Sequence, residues 1–142
     1  APAVLNGNLA FADALTKGVL TAAQREIVSL AVAQYNSCHY CLSAHTLLGK
    51  GAGLSPAAIR AARQGKGESA IDNAIATLAL RIVETRGQVS DADLSEARLA
   101  GLDDARIVEI VGNVAHNVLT NFMNNVAQTK IDFPVVDVAI AA

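Results

Sequence analysis

Short polar residues set directly before apolar stretches of helical period punctuate this chain, and no other feature limits its possible folds as severely. Thr21 with Gln24 has the form of a capping box, and Val28, Ala31, Val32 and Tyr35 follow at the spacing of one helix face, widened by Ile27 and Leu30. Ser37 is placed to cap a second helix from Cys38 to about Lys50, closed by Gly49, Gly51 and Gly53. Ser55 and Pro56 read as the N-cap and first residue of a short helix ending near Gly65. A longer helix is predicted from about Ala70 to Arg86, with Ile71, Ile75, Leu78, Ile82 and Val83 on one face and Gly87 as its stop. Ser90 caps another short helix ending near Gly101, and Asp103 caps the last, to about Ala127. Beyond it, Pro134 and an apolar tail predict an extended or irregular terminus.

Composition agrees with a wholly helical chain. Alanine fills 28 positions and proline 3, and aromatic side chains make up 4%, so good helix formers dominate and the runs that mark strands are scarce. The expected architecture is an all-α bundle of about six or seven helices in a single domain, residues 1–142, and a β-sandwich or barrel is excluded. Gly65-Lys66-Gly67 is the one stretch with linker character, and it is too short to separate two domains. Ser55, Ile59, Arg63, Gly65 and Ser90, Leu94, Arg98, Gly101 repeat one another loosely, as an internal duplication would, but also as any two capped amphipathic helices would.

Thirteen acidic and eleven basic residues leave a net charge of -2, with no basic block interleaved with aromatics, which argues against a nucleic-acid partner. Apolar runs fall far short of the ~18 residues a membrane span needs, and Ala1-Pro2-Ala3 does not open a signal peptide, so a soluble cytoplasmic protein is expected. Two cysteines three positions apart cannot staple a distant loop; they point to redox chemistry, metal binding or plain core thiols.

The chemistry concentrates between Glu26 and His45. Cys38, Cys41 and His45 fall at spacings of three and four, so a helix projects them from one face, and a hairpin at Asn36 and Ser37 brings Glu26 beside the imidazole. Residues three apart on a helix have Cα atoms about 5 to 5.5 Å apart, within disulfide range. Lowering a thiol pKa from about 8.5 to about 6.5 takes roughly 2.7 kcal/mol. A helix N-terminus supplies only about 0.3 to 1 kcal/mol, up to ~2 with favourable burial, so a base is needed, and His45 with Glu26 fits that role. The helix dipole favours Cys38 as the nucleophile, whereas the spacing to His45 favours Cys41.

Glu26, Cys38, Cys41 and His45 at these spacings resemble the core motif of the AhpD-like alkylhydroperoxidases, within the carboxymuconolactone decarboxylase superfamily. His116, Asn124, Asn125 and Ile131-Asp132-Phe133-Pro134 are also similar to that superfamily, so the resemblance covers most of the chain. It implies an all-helical fold assembled as a trimer or a higher oligomer such as a hexamer. It also implies a thiol peroxidase in which Cys41 attacks the peroxide, Cys38 resolves the sulfenic acid into a disulfide, and His45 and Glu26 relay the proton. A lipoyl group or another thiol would restore the dithiol, and no metal or organic cofactor enters. One departure stands out: the best-studied members carry histidine just before the second cysteine, where this chain has Tyr40, and its histidine is His39.

Competing readings use the same residues. Cys38 and Cys41 as inert core hydrophobes are one, and a zinc site of Cys38, Cys41 and His45, with or without Glu26, is another. A decarboxylase or isomerase relative of the same fold would not use paired thiols, and an oligomeric binding protein would keep its function without them. Elsewhere, His39 is expected at the surface or an interface, and His116 with Asn113, Asn117 and Asn121 on a solvated polar stripe or subunit contact. Tyr35 and Tyr40 are expected to line a pocket or pack, Arg25 to be a surface charge, and Phe122 and Met123 to fill the core or an interface. Asp103 and Asp104 are expected to cap a helix.

Overall fold

From Ile27 to Ala33, seven consecutive residues are buried, so the helix that carries them is covered around its whole circumference and must lie at the centre. In the computed structural model, which describes residues 1–139, this helix is α2 (Ala22–Tyr35), opened by the capping box of Thr21 and Gln24. The single apolar face expected for it was too narrow: α3 (His39–Gly51), α4 (Pro56–Arg63), α5 (Ala70–Thr85) and α7 (Asp104–Ala127) all pack on it. Tyr35, placed on that face, is instead exposed at the helix end.

The described residues form seven helices, α2 among them, and no strand. Ser55, Ser69, Ser90 and Asp103 each accept a backbone N–H at the head of α4, α5, α6 (Asp91–Leu99) and α7, which fixes where each helix begins. α6 lies against α5, and α1 (Pro2–Leu15) lies on α7 without burying a single residue. Between α4 and α5 the Gly65 backbone is left-handed, and a side chain on Gly67 would strike the backbone of Asp72 and Asn73, so this stretch is a tight turn.

After α7 the chain returns without regular structure, as expected, across the ends of α2, α3 and α4. Val136 N–H donates to Ser43 Oγ (3.0 Å), Gln34 Nε2 to the Val138 carbonyl (2.7 Å), and Arg63 Nη2 to the Asp137 carbonyl (2.6 Å). The last three residues of the predicted tail lie outside the described residues.

Candidate active site

The turn between α2 and α3 places the sulfurs. Ser37 adopts a left-handed backbone (φ 50°), which disqualifies it as the expected N-cap; Cys38, extended at φ -86°, takes that position, and its Sγ accepts the Cys41 N–H at 3.3 Å. Cys38 therefore heads α3 as its N-cap, one position before the helix proper. The two Cα atoms are 5.3 Å apart and the sulfurs are joined as a disulfide. Cys38 is closed to solvent, and Cys41 keeps 3% of its surface exposed.

His45 follows one turn after Cys41, and its Nδ1 lies 2.8 Å from Glu26 Oε2 across the α2–α3 contact. A carboxylate only accepts, so Nδ1 carries the proton, and in the neutral form of the ring Nε2 keeps a lone pair. Both side chains are partly open, at 21% and 17% exposure. The predicted carboxylate–imidazole pair is thus in place, while no hydrogen bond among the described residues joins His45 to either sulfur.

Residue spacing did not foretell the contacts that α7 makes near the pair. Asn124 of α7 donates from Nδ2 to Cys41 Sγ at 3.4 Å. Asn36 Nδ2 donates to Asn121 Oδ1 (3.0 Å) and Asn125 Nδ2 to the Asn36 carbonyl (3.0 Å), tying α7 to the end of α2. Asn113, Asn117 and Asn121 are buried and Asn117 donates to Ser29 Oγ of α2, so the stripe expected as a solvated face or subunit contact faces the core of this chain. The available signal was its four-residue period within an otherwise apolar helix.

His116, expected on that stripe, sits edge-on to Phe11 (5.8 Å) with a buried Nε2 that has no partner; burial, with His45 as a second cause, pushes its imidazole pKa down. His39 is exposed, as expected. Tyr40 packs edge-on to Phe133 (5.4 Å), and burial together with the Asp132 carboxylate raises its phenol, which stays neutral. Phe122 and Met123 are exposed instead of filling the core of this chain, and Arg25 donates to the Leu20 carbonyl (2.6 Å) instead of standing free at the surface. Asp103 caps α7, and Asp104 pairs with Arg98.

A cavity of ≈ 210 Å³, lined by His39, Tyr40, Asn124, Gln128 and Ile131 among others, adjoins Cys41 through the Asn124 amide. Among the described residues, no three His, Cys, Asp or Glu side chains gather as a metal site would require, so the zinc alternative lacks a ligand set there. No helix among them is long and apolar enough to cross a membrane.

Residues 2–85 match the model of the carboxymuconolactone decarboxylase family, a span that contains Glu26, both cysteines and His45. The chain belongs to the carboxymuconolactone decarboxylase family. No curated protein matches it. Among solved structures, an alkylhydroperoxidase AhpD core, described as an uncharacterized peroxidase-related protein from Ralstonia eutropha JMP134, is similar at 26% identity with a TM-score of 0.82. That match covers 92% of this chain and 72% of that one. An uncharacterized peroxidase-related protein from Silicibacter sp. TM1040 shares the fold at 21% identity and a TM-score of 0.78, covering 89% of this chain and 69% of its own. The expected AhpD-like all-α fold is the fold of this family member.

Proposed function

We propose that this chain, acting as one domain, is a thiol-dependent peroxidase that reduces hydrogen peroxide or organic hydroperoxides through a Cys38–Cys41 dithiol/disulfide cycle. The reading rests above all on the joined cysteine pair one helical turn from an imidazole held by Glu26, in a family member that resembles a peroxidase-related structure.

In the cycle, His45 Nε2 takes the Cys41 thiol proton through one water, and the carboxylate of Glu26 stabilises the imidazolium. The Cys41 thiolate attacks the peroxide's terminal oxygen; the O–O bond breaks and the departing alkoxide takes the proton back from His45, leaving an alcohol and Cys41 sulfenic acid. Cys38 sulfur then attacks Cys41 sulfur, and hydroxide leaves with the Cys38 proton as water. One hydroperoxide and two thiols thus give one alcohol, one water and one disulfide. An external dithiol of lipoyl type, or a thiol protein, returns two electrons and two protons and ends as a disulfide itself; no metal or organic cofactor enters. Such a cycle belongs in a reducing compartment, the cytoplasm.

Partners of the same chain complete the reading. Val4, Leu5 and Leu9 on α1 and Val108, Val111, Phe122 and Val126 on α7 are exposed apolar side chains of the kind that a trimer or hexamer contact would cover. Sedimentation of the native protein as a monomer would refute this part alone.

The deciding experiment mixes reduced protein with one equivalent of hydroperoxide and counts free thiols. Wild type should lose two and Cys41→Ser none. Retention of both thiols by wild type would overturn the peroxidase reading in favour of a decarboxylase- or isomerase-type family member or a binding protein.

A further inference from the structure

We propose that Asn124 is a positioning residue that makes Cys41, and not Cys38, the reactive thiolate of the pair. Its catalytic consequence rests on the peroxidase reading above; its effect on the acidity of Cys41 does not.

The two sulfurs are served by different donors. Cys38 Sγ, at the head of α3, receives the backbone N–H of Cys41 and the positive end of the helix dipole. Left to α3 alone, the more acidic thiol would be Cys38. Cys41 lies in the first turn, where its own N–H is committed to Cys38, and its sulfur takes a hydrogen bond from another helix: Asn124 Nδ2, at 3.4 Å.

The orientation of that amide is determined. Asn124 Nδ2 also donates to the Thr120 carbonyl at 3.0 Å, so its two hydrogens are divided between a backbone oxygen and the sulfur. A flipped amide would set its own oxygen against the Thr120 carbonyl. The position of α7 is pinned as well, because Asn125 donates to the Asn36 carbonyl and Asn36 to Asn121, on the turn that leads into Cys38. An N–H aimed at sulfur stabilises the anion more than the neutral thiol and lowers the thiol pKa. Access agrees with this assignment: Asn124 lines the cavity beside Tyr40 and His39, and Cys38 is wholly enclosed.

The test measures the pH dependence of ultraviolet thiolate absorbance in Cys38→Ser protein, where Cys41 is the one remaining thiol. Adding Asn124→Ala should raise the titration midpoint by about one unit, a roughly tenfold loss of thiolate below the midpoint. The near-isosteric Asn124→Asp, which replaces the donor with a negative acceptor, should raise it further. In the two-cysteine protein, limiting alkylation should move from Cys41 toward Cys38 in both variants. Unchanged midpoints in either variant that retains native helicity would overturn the proposal, as would alkylation that stays on Cys41. The two failures separate cleanly. If wild type consumes tert-butyl hydroperoxide but the midpoints do not move, the role of Asn124 falls and the peroxidase reading stands; if the midpoints move but wild type keeps both thiols, the reverse holds.

Discussion

The sulfur pair at the head of α3 and the imidazole–carboxylate pair that joins α3 to α2 differ in access: one is sealed and the other is partly open. Cys38 and Cys41 are enclosed by α2 and α7, with Leu42 fully buried beside them, whereas His45 and Glu26 keep about a fifth of their surface in contact with solvent. Leu47 and Leu48, further along, are about half exposed. The enclosed end protects a reactive sulfur and limits what reaches it; the open end lets a proton exchange with water. Helix α3 serves both because Cys41, Leu42, Ser43 and Ala44 are buried while Leu47, Leu48 and Lys50 reach the surface.

This division can be broken experimentally, most severely at the imidazole. His45→Gln should slow the hydroperoxide-dependent loss of thiols by about 10²- to 10⁴-fold, the usual worth of a positioned general base, while the disulfide still forms under strong oxidant. Stopped-flow thiol consumption measures it, and a rate within a factor of two of wild type would remove the relay from the mechanism. Stability should divide the same helix in the opposite sense. Leu42→Ala at the enclosed end should cost about 2 to 5 kcal/mol in denaturant unfolding, whereas Leu48→Ala should stay within about 0.5 kcal/mol. Similar losses at both positions would mean that the outer turns of α3 are covered as well.

Smaller effects sharpen the picture. Glu26→Gln keeps a partner for His45 Nδ1 but loses the charge assistance, worth about 1.4 kcal/mol, so the same rate should fall about tenfold. The smallest expected effect concerns His116. Its folded-state pKa is held below the ordinary value, chiefly by burial, so the unfolded chain binds more protons there as acidity rises. Its contribution to stability is complete above the unfolded value near 6.5 and declines as the pH falls through it toward the lower folded value. Thermal unfolding between pH 7 and about 5 should show a shallower acid loss in His116→Gln than in wild type; equal slopes would place the acid sensitivity elsewhere.

Local signals carried much of this in advance. The capping residues Thr21, Ser55, Ser90 and Asp103 mark helix starts where the structure has them, because a side-chain oxygen satisfying a backbone N–H is a short-range event. Helix α1 gave no such sign: Ala1 offers no capping side chain, and its apolar residues wrap around the helix without a polar face to set a period. The stretches from Ser55 and from Ser90 show where local likeness stops. Ile59 is buried against the central helices and Arg63 reaches both Gln34 and the returning tail, while Leu94 is half-buried and Arg98 pairs at the surface with Asp104. Nearly the same local pattern leads to different work because the surface each helix meets is set by the rest of the chain.

At the candidate site the same boundary recurs. Spacing alone determined that Cys38 and Cys41 fall within bonding distance and that His45 follows one turn later, since helical rise and pitch govern residues only a few positions apart. Glu26 was within reach of the same reasoning because a short turn returns the chain upon itself. What the tertiary structure decided was the inward turn of the Asn113, Asn117 and Asn121 stripe, the burial of both sulfurs, and the meeting of Asn124 with Cys41. Those partners stand 83 or more positions apart, or belong to a helix whose buried face depends on where α2 lies. A hydrogen bond between such distant residues has no local period to announce it; it exists because the packing of seven helices leaves one amide facing one sulfur.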